Sequence, residues 1–511
     1  MNHPDSLDTW PATLTKLRGR RRVRGRLFGS SFGFGGGAWR RAKNDRGPGD
    51  RPRPKEPGGP NARRQEEQRD PYRWAFGFLY LFTILLYIRP SDLLPALESF
   101  PLAKIVAILA FVVFAGARYN HSKSVINWTT EVKMVFVMLF LALLFTPIAA
   151  SPRDSIDTLN DVFVKIVTVF ILIIGLVNTR ARLRSMISLS VLCGTWLAIF
   201  AIKDYATGNF NVKSGRIAGV VGGIFGNPND LAMALNMLIP LAVALALVSA
   251  GRVRLFYLAS ALMMTAGVIV TFSRAGFIAL VALAGILIWK FGRGMRLKAM
   301  LGALIPSIIL LAAVSDTYHN RLTSIVDHDK DETGSARQRS ELLKFSLDLA
   351  IRHPFIGVGI GNFHVYSIRE KGAHNAYLET AAELGSFGLV AYLIVILGSF
   401  RGVARIERET LRARRRDDLY LRSLSIGLQA ALGAYIVNSF FASTQYLWYL
   451  YYVAGFAVAL RGIYAAERAV RVKAKEAEAP DQPQLIGNLW KSAPRKPAGV
   501  LWPAYRFRRG F

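Results

Sequence analysis

A few side chains in this sequence have the type and spacing to do chemistry: Arg216, Arg274, Arg339 and the pair His374-Asn375. Guanidinium forks grip phosphate oxygens two at a time, so Arg216 and Arg274 acting together suit a polyanion such as a diphosphate. Either one alone also reads as an arginine that snorkels or bonds helix carbonyls. His374 supplies an imidazole, a group that near neutral pH can accept a proton from a hydroxyl. Glu379 and Glu383 follow on the same stretch, and nine residues separate Asn375 from Gly385-Ser386-Phe387-Gly388. Asn227 and Asn229, in Gly226-Asn227-Pro228-Asn229-Asp230, precede an apolar run and suit a helix N-cap or a contact with substrate.

Other patterns carry less. Gly357-Val358-Gly359-Ile360-Gly361-Asn362 lacks the preceding strand, following helix and final glycine of a dinucleotide fingerprint, and reads as a tight glycine turn. Asp327, Asp329 and Asp331 alternate like a calcium loop, but Glu332 replaces the turn glycine and Gln338 the bidentate glutamate. They form a solvated acidic patch. His353, His364 and His374 lack the spacing of a zinc site, and the single cysteine, Cys193, lies in an apolar segment as a packing residue. No metal or cofactor is expected.

The elements that must position these residues are membrane helices. The chain has 511 residues, is 52% hydrophobic and carries a formal charge of +31. In a soluble protein that charge would suggest nucleic acid. Here cations and apolar residues occupy different segments, as in a membrane protein with basic cytoplasmic parts, and no nucleic acid is expected as a partner. A span needs around 20 mostly apolar residues. Twelve cores qualify: 74–88, 102–117, 134–150, 162–177, 186–202, 231–248, 255–272, 275–289, 299–314, 385–400, 424–441 and 446–460. The expected fold is an all-α polytopic membrane protein of about 12 transmembrane helices. Its expected domains are a disordered basic tail (1–72), helices 1–9 (73–314), a large outer loop (315–384), helices 10–12 (385–460) and a basic C-terminal tail (461–511). Residues 1–72 are rich in Arg, Gly and Pro, without apolar periodicity to offset the entropy of ordering. The first hydrophobic segment starts too late for a secretory signal.

Alternating the spans from an N-tail in the cytoplasm puts Arg118, Arg180, Arg182, Arg184, Arg252, Arg254 and Lys290 on the inside, with the Arg401–Arg422 stretch. The outer connection 151–161 holds three aspartates and one arginine. Both termini are therefore expected to be cytoplasmic, in the bacterial inner membrane. Arg216, Arg274, Arg339 and His374 then fall outside, against the charge trend. In the large outer loop, Leu343, Leu347, Ala350 and Ile351 recur at helical spacing, capped by Ser335 and stopped by Pro354, which predicts an amphipathic helix lying along the membrane surface.

These residues, in this order, resemble the O-antigen ligase and polymerase superfamily. The family's His, then Asn, Ser or Gln, then nine residues and Gly-x-x-Gly is met by His374, Asn375, Gly385 and Gly388. Its arginine, amphipathic helix, His-Pro and Gly-x-Gly turn are met by Arg339, His353, Pro354, Gly357 and Gly359. Its arginine ahead of an Asn-Pro-Asn turn resembles Arg216 with Asn227-Pro228-Asn229, and its Ser-Arg pair resembles Ser273-Arg274. The resemblance covers roughly residues 210–400.

The resemblance implies a glycosyltransferase that moves a glycan from undecaprenyl diphosphate to an acceptor hydroxyl on the periplasmic face, without a metal. The acceptor would be a lipid A-core sugar, a protein hydroxyl or, in a polymerase, another carrier-linked glycan. His374, Arg216 and Arg274 would be catalytic, and Arg339, Asn375, Asn227 and Asn229 would touch substrate. Arg339 either binds phosphate or anchors the loop. A lipid-linked oligosaccharide flippase would share the span count, but transporters carry internal repeats and midplane charges. This sequence has neither an evident repeat nor such charges, and its unusual cations sit at the outer boundary.

Overall fold

The computed structural model describes residues 70–93, 101–121, 124–210, 216–217, 226–291, 335–367, 372–411 and 416–478. Every regular element among them is a helix. In chain order these are α1 (Arg73–Ile88), α2 (Leu102–Asn120), α3 (Thr130–Phe145), α4 (Pro152–Leu176), α5 (Arg180–Ala206), α6 (Pro228–Val248), α7 (Gly251–Val270) and α8 (Arg274–Phe291). After a gap follow α9 (Ser335–Arg352), α10 (Ala376–Thr410), α11 (Arg416–Ser439) and α12 (Trp448–Glu478). Among the described residues, nine helices are long and apolar enough to cross a membrane: α2–α8, α10 and α12.

Eleven of the twelve expected cores coincide with described helices, and residues 299–314 lie outside the described set, as do residues 1–69, Asp327, Asp329 and Asp331. Two coincident helices are not among the nine. α1 has 16 residues, and α11 carries Arg416, Asp417, Asp418, Arg422, Gln429 and Asn438 among its apolar residues. Local chemistry sets several starts. Thr129 accepts from the Val132 N–H before α3, and Thr179 from the Arg182 N–H before α5. α12 runs on past Leu460 to Glu478, so the first part of the segment read as a C-terminal tail is helical.

α6 is the central helix, with 83% of its apolar window buried, and it packs against α5, α7, α8 and α11. Small residues allow the close approaches, as bilayer packing requires where hydrophobicity gives helices little reason to associate. A Cβ on Gly276 of α8 would come within 2.5 Å of Ala232 on α6. Ile105, Val112, Phe140, Leu192, Leu255 and Val281 instead face outward, an apolar belt suited to lipid. α10 packs against α3, α9, α11 and α12. At the far end of α10, ion pairs join the surrounding helices. Arg461 of α12 grips the fully buried Glu131 of α3 with two 2.6 Å bonds, and Lys290 of α8 reaches Glu407 of α10 at 2.7 Å.

Candidate functional site

The opposite end of α10 carries His374 and Asn375. Asn375 is the N-cap: its Oδ1 accepts from the Tyr377 and Leu378 N–H groups, both at 3.0 Å, and its Nδ2 donates to the Phe440 carbonyl at 3.3 Å. At 5% exposure, with both ends engaged, this side chain holds the helix start to the end of α11. Asn375, expected to touch substrate, is placed here as the cap of α10.

His374, half-buried, has the backbone in the left-handed region at φ 52°. A residue with a Cβ is strained there by about 1–2 kcal/mol, so its surroundings must hold it. The His374 N–H donates to Ser443 Oγ at 3.1 Å. Ser443 in turn donates to Glu379 Oε2, which also accepts from the Ala373 N–H at 2.8 Å. Gln445 Nε2 donates to Glu379 Oε1 at 2.9 Å. A buried carboxylate one turn into α10 thus ties the residues before the helix to the α11–α12 turn. Glu379 stood out beside His374 in the sequence, but Ser443 and Gln445, some seventy residues away, carried no signal.

α10 is broken at Gly385, which adopts φ 68°, ψ −174° and joins two helical segments. The stretch with Glu379 and Glu383 is therefore helical from Ala376, inside what reads from sequence as loop. A break frees backbone groups that need partners. The Val358 N–H donates to the Ala382 carbonyl at 2.8 Å, the Gly359 N–H to the Glu383 carbonyl at 3.0 Å, and the Ser386 N–H to the Pro354 carbonyl at 2.7 Å. The glycine turn thus serves as the mortise for the broken helix. A Cβ on Gly385 would lie 2.3 Å from the Phe355 oxygen, and one on Gly357 2.4 Å from the Glu383 oxygen. The same turn is clamped to α4. Asn362 accepts from the Ser151 N–H at 2.7 Å and donates to Ser155 Oγ at 2.8 Å, and Ser155 donates to the Ile360 carbonyl at 2.9 Å.

α9 forms where the amphipathic pattern predicts it. A face other than that apolar stripe turns inward: Leu342, Ser346 and Leu349 are buried, with Phe345 stacked on Phe363, and the helix docks on α10. Leu343, Leu347 and Ile351 stay exposed as a second apolar stripe, joined past Pro354 by Phe355 and Ile356. Arg339 sits half-buried in the first part of α9.

A second group lies at the start of α6 and α8. Asn227 caps α6, accepting from the Asn229 N–H at 2.9 Å. Ser273 caps α8, accepting from the Gly276 N–H at 3.0 Å, and donates to Asn229 Oδ1 at 2.7 Å. That bond joins the Asn-Pro-Asn and Ser-Arg segments, 44 residues apart in sequence. Asn227 and Asn229, expected as substrate contacts, have their side-chain oxygens occupied by helix ends. Arg274 is the first residue of α8 and half-buried, and Arg216, half-buried beside the fully buried Ile217, belongs to the connection ahead of α6. Among the described residues, no group of three or more His, Cys, Asp or Glu is placed to hold a metal ion.

Together these features define a polytopic helical membrane protein with a constrained histidine and capped, arginine-bearing helix starts. Residues 258–393 match the model of the O-antigen ligase family, which supports the O-antigen ligase superfamily for this chain. The match takes in Arg274, Arg339, His374, Gly385 and Gly388 and leaves out Arg216. No curated protein matches the chain.

Proposed function

We propose that this protein transfers a glycan from undecaprenyl diphosphate to an acceptor hydroxyl at the periplasmic face of the bacterial inner membrane, as an O-antigen ligase does. The observation that carries this reading is the family match spanning His374, combined with a network that keeps His374 in a strained backbone conformation. Strain held in place by its surroundings is typical of functional sites.

In the proposed reaction the acceptor oxygen attacks the anomeric carbon, and the bond from that carbon to the diphosphate oxygen breaks. The bonding pair leaves with undecaprenyl diphosphate, and His374 takes the hydroxyl proton as the new bond forms. A sugar hydroxyl is too weak an acid to ionise beforehand, so this proton transfer accompanies attack. Arg216 and Arg274 hold the diphosphate and stabilise the charge that develops on it. Asn227, Asn229, Ser273 and Asn375 set the helix ends around the substrate, and Arg339 sits on the helix that covers α10.

His374→Ala and Arg274→Ala are expected to leave the protein expressed in the membrane and abolish surface glycan. Normal glycan in both mutants overturns the mechanism. A deletion strain separates ligase from polymerase on a polysaccharide gel. Long chains accumulating on the carrier indicate a ligase, and single units reaching the acceptor indicate a polymerase.

A further inference from the structure

A pocket of ≈ 390 Å³ lies between the last turns of α1, the first turns of α2, α4 and the start of α12, among residues none of the chemistry above uses. Three of its lining residues are cations, Arg89, Lys104 and Lys165, against one acid, Asp161. Lys165 pairs with Asp161 and Arg89 with Asp92, each at 3.2 Å. Lys104 is exposed and has no hydrogen-bond or ion-pair partner among the described residues. The remaining wall is apolar, with Phe82, Leu86, Ala107 and Trp448, and the Phe82 and Trp448 rings meet at 5.4 Å.

Where the pocket lies narrows what it can bind. The α2 helix is peripheral, with only 17% of its apolar window buried, so the pocket opens at the boundary between protein and lipid. It also sits at the His374 end of the bundle: Phe163, two residues before Lys165, stacks edge-on against Tyr446 at 5.5 Å, next to the Gln445 that bonds Glu379. Lys165 already has Asp161 beside it, whereas the exposed Lys104 leaves an ammonium for an incoming anion to meet. The volume is within the range of small-molecule sites, and the apolar wall asks for a ligand with a greasy part to displace water.

We propose that this pocket binds the phosphate headgroup of a membrane amphiphile, with Lys104 and Lys165 on the phosphate and the first carbons of the chain against Phe82, Leu86 and Trp448. Its lining includes no residue of the Arg216 and Arg274 segments, and binding there does not depend on the transfer reaction. Free phosphate fits less well, because it leaves the apolar wall wet.

The test uses the full-length protein in a neutral maltoside detergent, titrated with dodecyl phosphate, dodecanol and inorganic phosphate, with binding read by calorimetry. Dodecyl phosphate is expected to bind, and Lys104→Gln and Lys165→Gln are each expected to weaken it about tenfold, the worth of one lost charge-assisted contact. Lys104→Arg should retain binding, and Arg153→Gln, 91% exposed in its side chain at the same end, should bind as the parent does. Melting curves confirm that each variant is folded, and exposed Lys104 is the safer of the two in that respect. Wild-type affinity in both glutamine variants overturns the proposal. So does equal binding of dodecanol, which would make the pocket merely apolar, or displacement of dodecyl phosphate by an equal concentration of inorganic phosphate, which would make the ligand a free anion.

Discussion

Replacing Gly385 by alanine tests whether the broken α10 is what holds the site together. Gly385 occupies a region of backbone space open essentially to glycine alone, which costs another residue about 1–3 kcal/mol. Its new Cβ would also lie 2.3 Å from the Phe355 oxygen, a backbone atom with no rotamer to escape into. Relief requires residues 354–359 to move off α10, which threatens the bonds from Val358, Gly359 and Ser386 at about 0.5–1.5 kcal/mol each. The total is about 3–7 kcal/mol, enough to detach the turn or lower the melting temperature by about 5–10 °C. Gly285→Ala in α8 is the control. Nothing lies within 4 Å of its added Cβ, so it should be neutral or stabilising by about 0.5–1 kcal/mol. The assays are thermal melting of the purified protein in detergent, limited proteolysis between α9 and α10, and surface glycan in cells. A Gly385→Ala protein that melts, resists protease and makes glycan like its parent would refute the account of the break.

His374→Gly should be more stable than His374→Ala by about 1–2 kcal/mol, because glycine enters the left-handed region without strain, and both should lack surface glycan. Equal melting temperatures would remove the strain from the argument, and glycan in the glycine variant would remove the imidazole from the chemistry. At the other end of α10, Arg461→Leu should cost about 3–5 kcal/mol by stranding the fully buried Glu131, and Glu131→Leu should cost less because the Arg461 side chain keeps 29% exposure. The double variant should be less destabilised than Arg461→Leu alone, and simple additivity in a double-mutant cycle would show that the two groups do not act as a pair.

The sequence by itself determined where most of the helices form. Apolar runs of sufficient length marked eleven segments that the structure describes as helices, because a bilayer leaves the backbone little choice but to satisfy itself within each span. Charge separation suggested the orientation, and the order of His374, Asn375, Gly385 and Gly388 pointed to the family that the match at 258–393 supports. Local capping was also within reach: Asn227 satisfies the N–H of Asn229 two residues away, an interaction set by short-range geometry.

What only the tertiary structure decided is how these residues are held. The break at Gly385 is not legible in sequence, which reads loop up to residue 384 and a span from 385, because its cause is the carbonyl and N–H partners offered by residues 354–359. The face that α9 turns toward α10 is set in a related way. Leu342 and Leu343 are equally apolar, and only the position of α10 selects Leu342 for burial. His374 owes its strained backbone to Ser443 and, through it, to Glu379, and no periodicity links position 374 to position 443. Short-range patterns record what each helix must bury, whereas the partners of a polar group across the bundle depend on three-dimensional packing that sequence spacing does not encode.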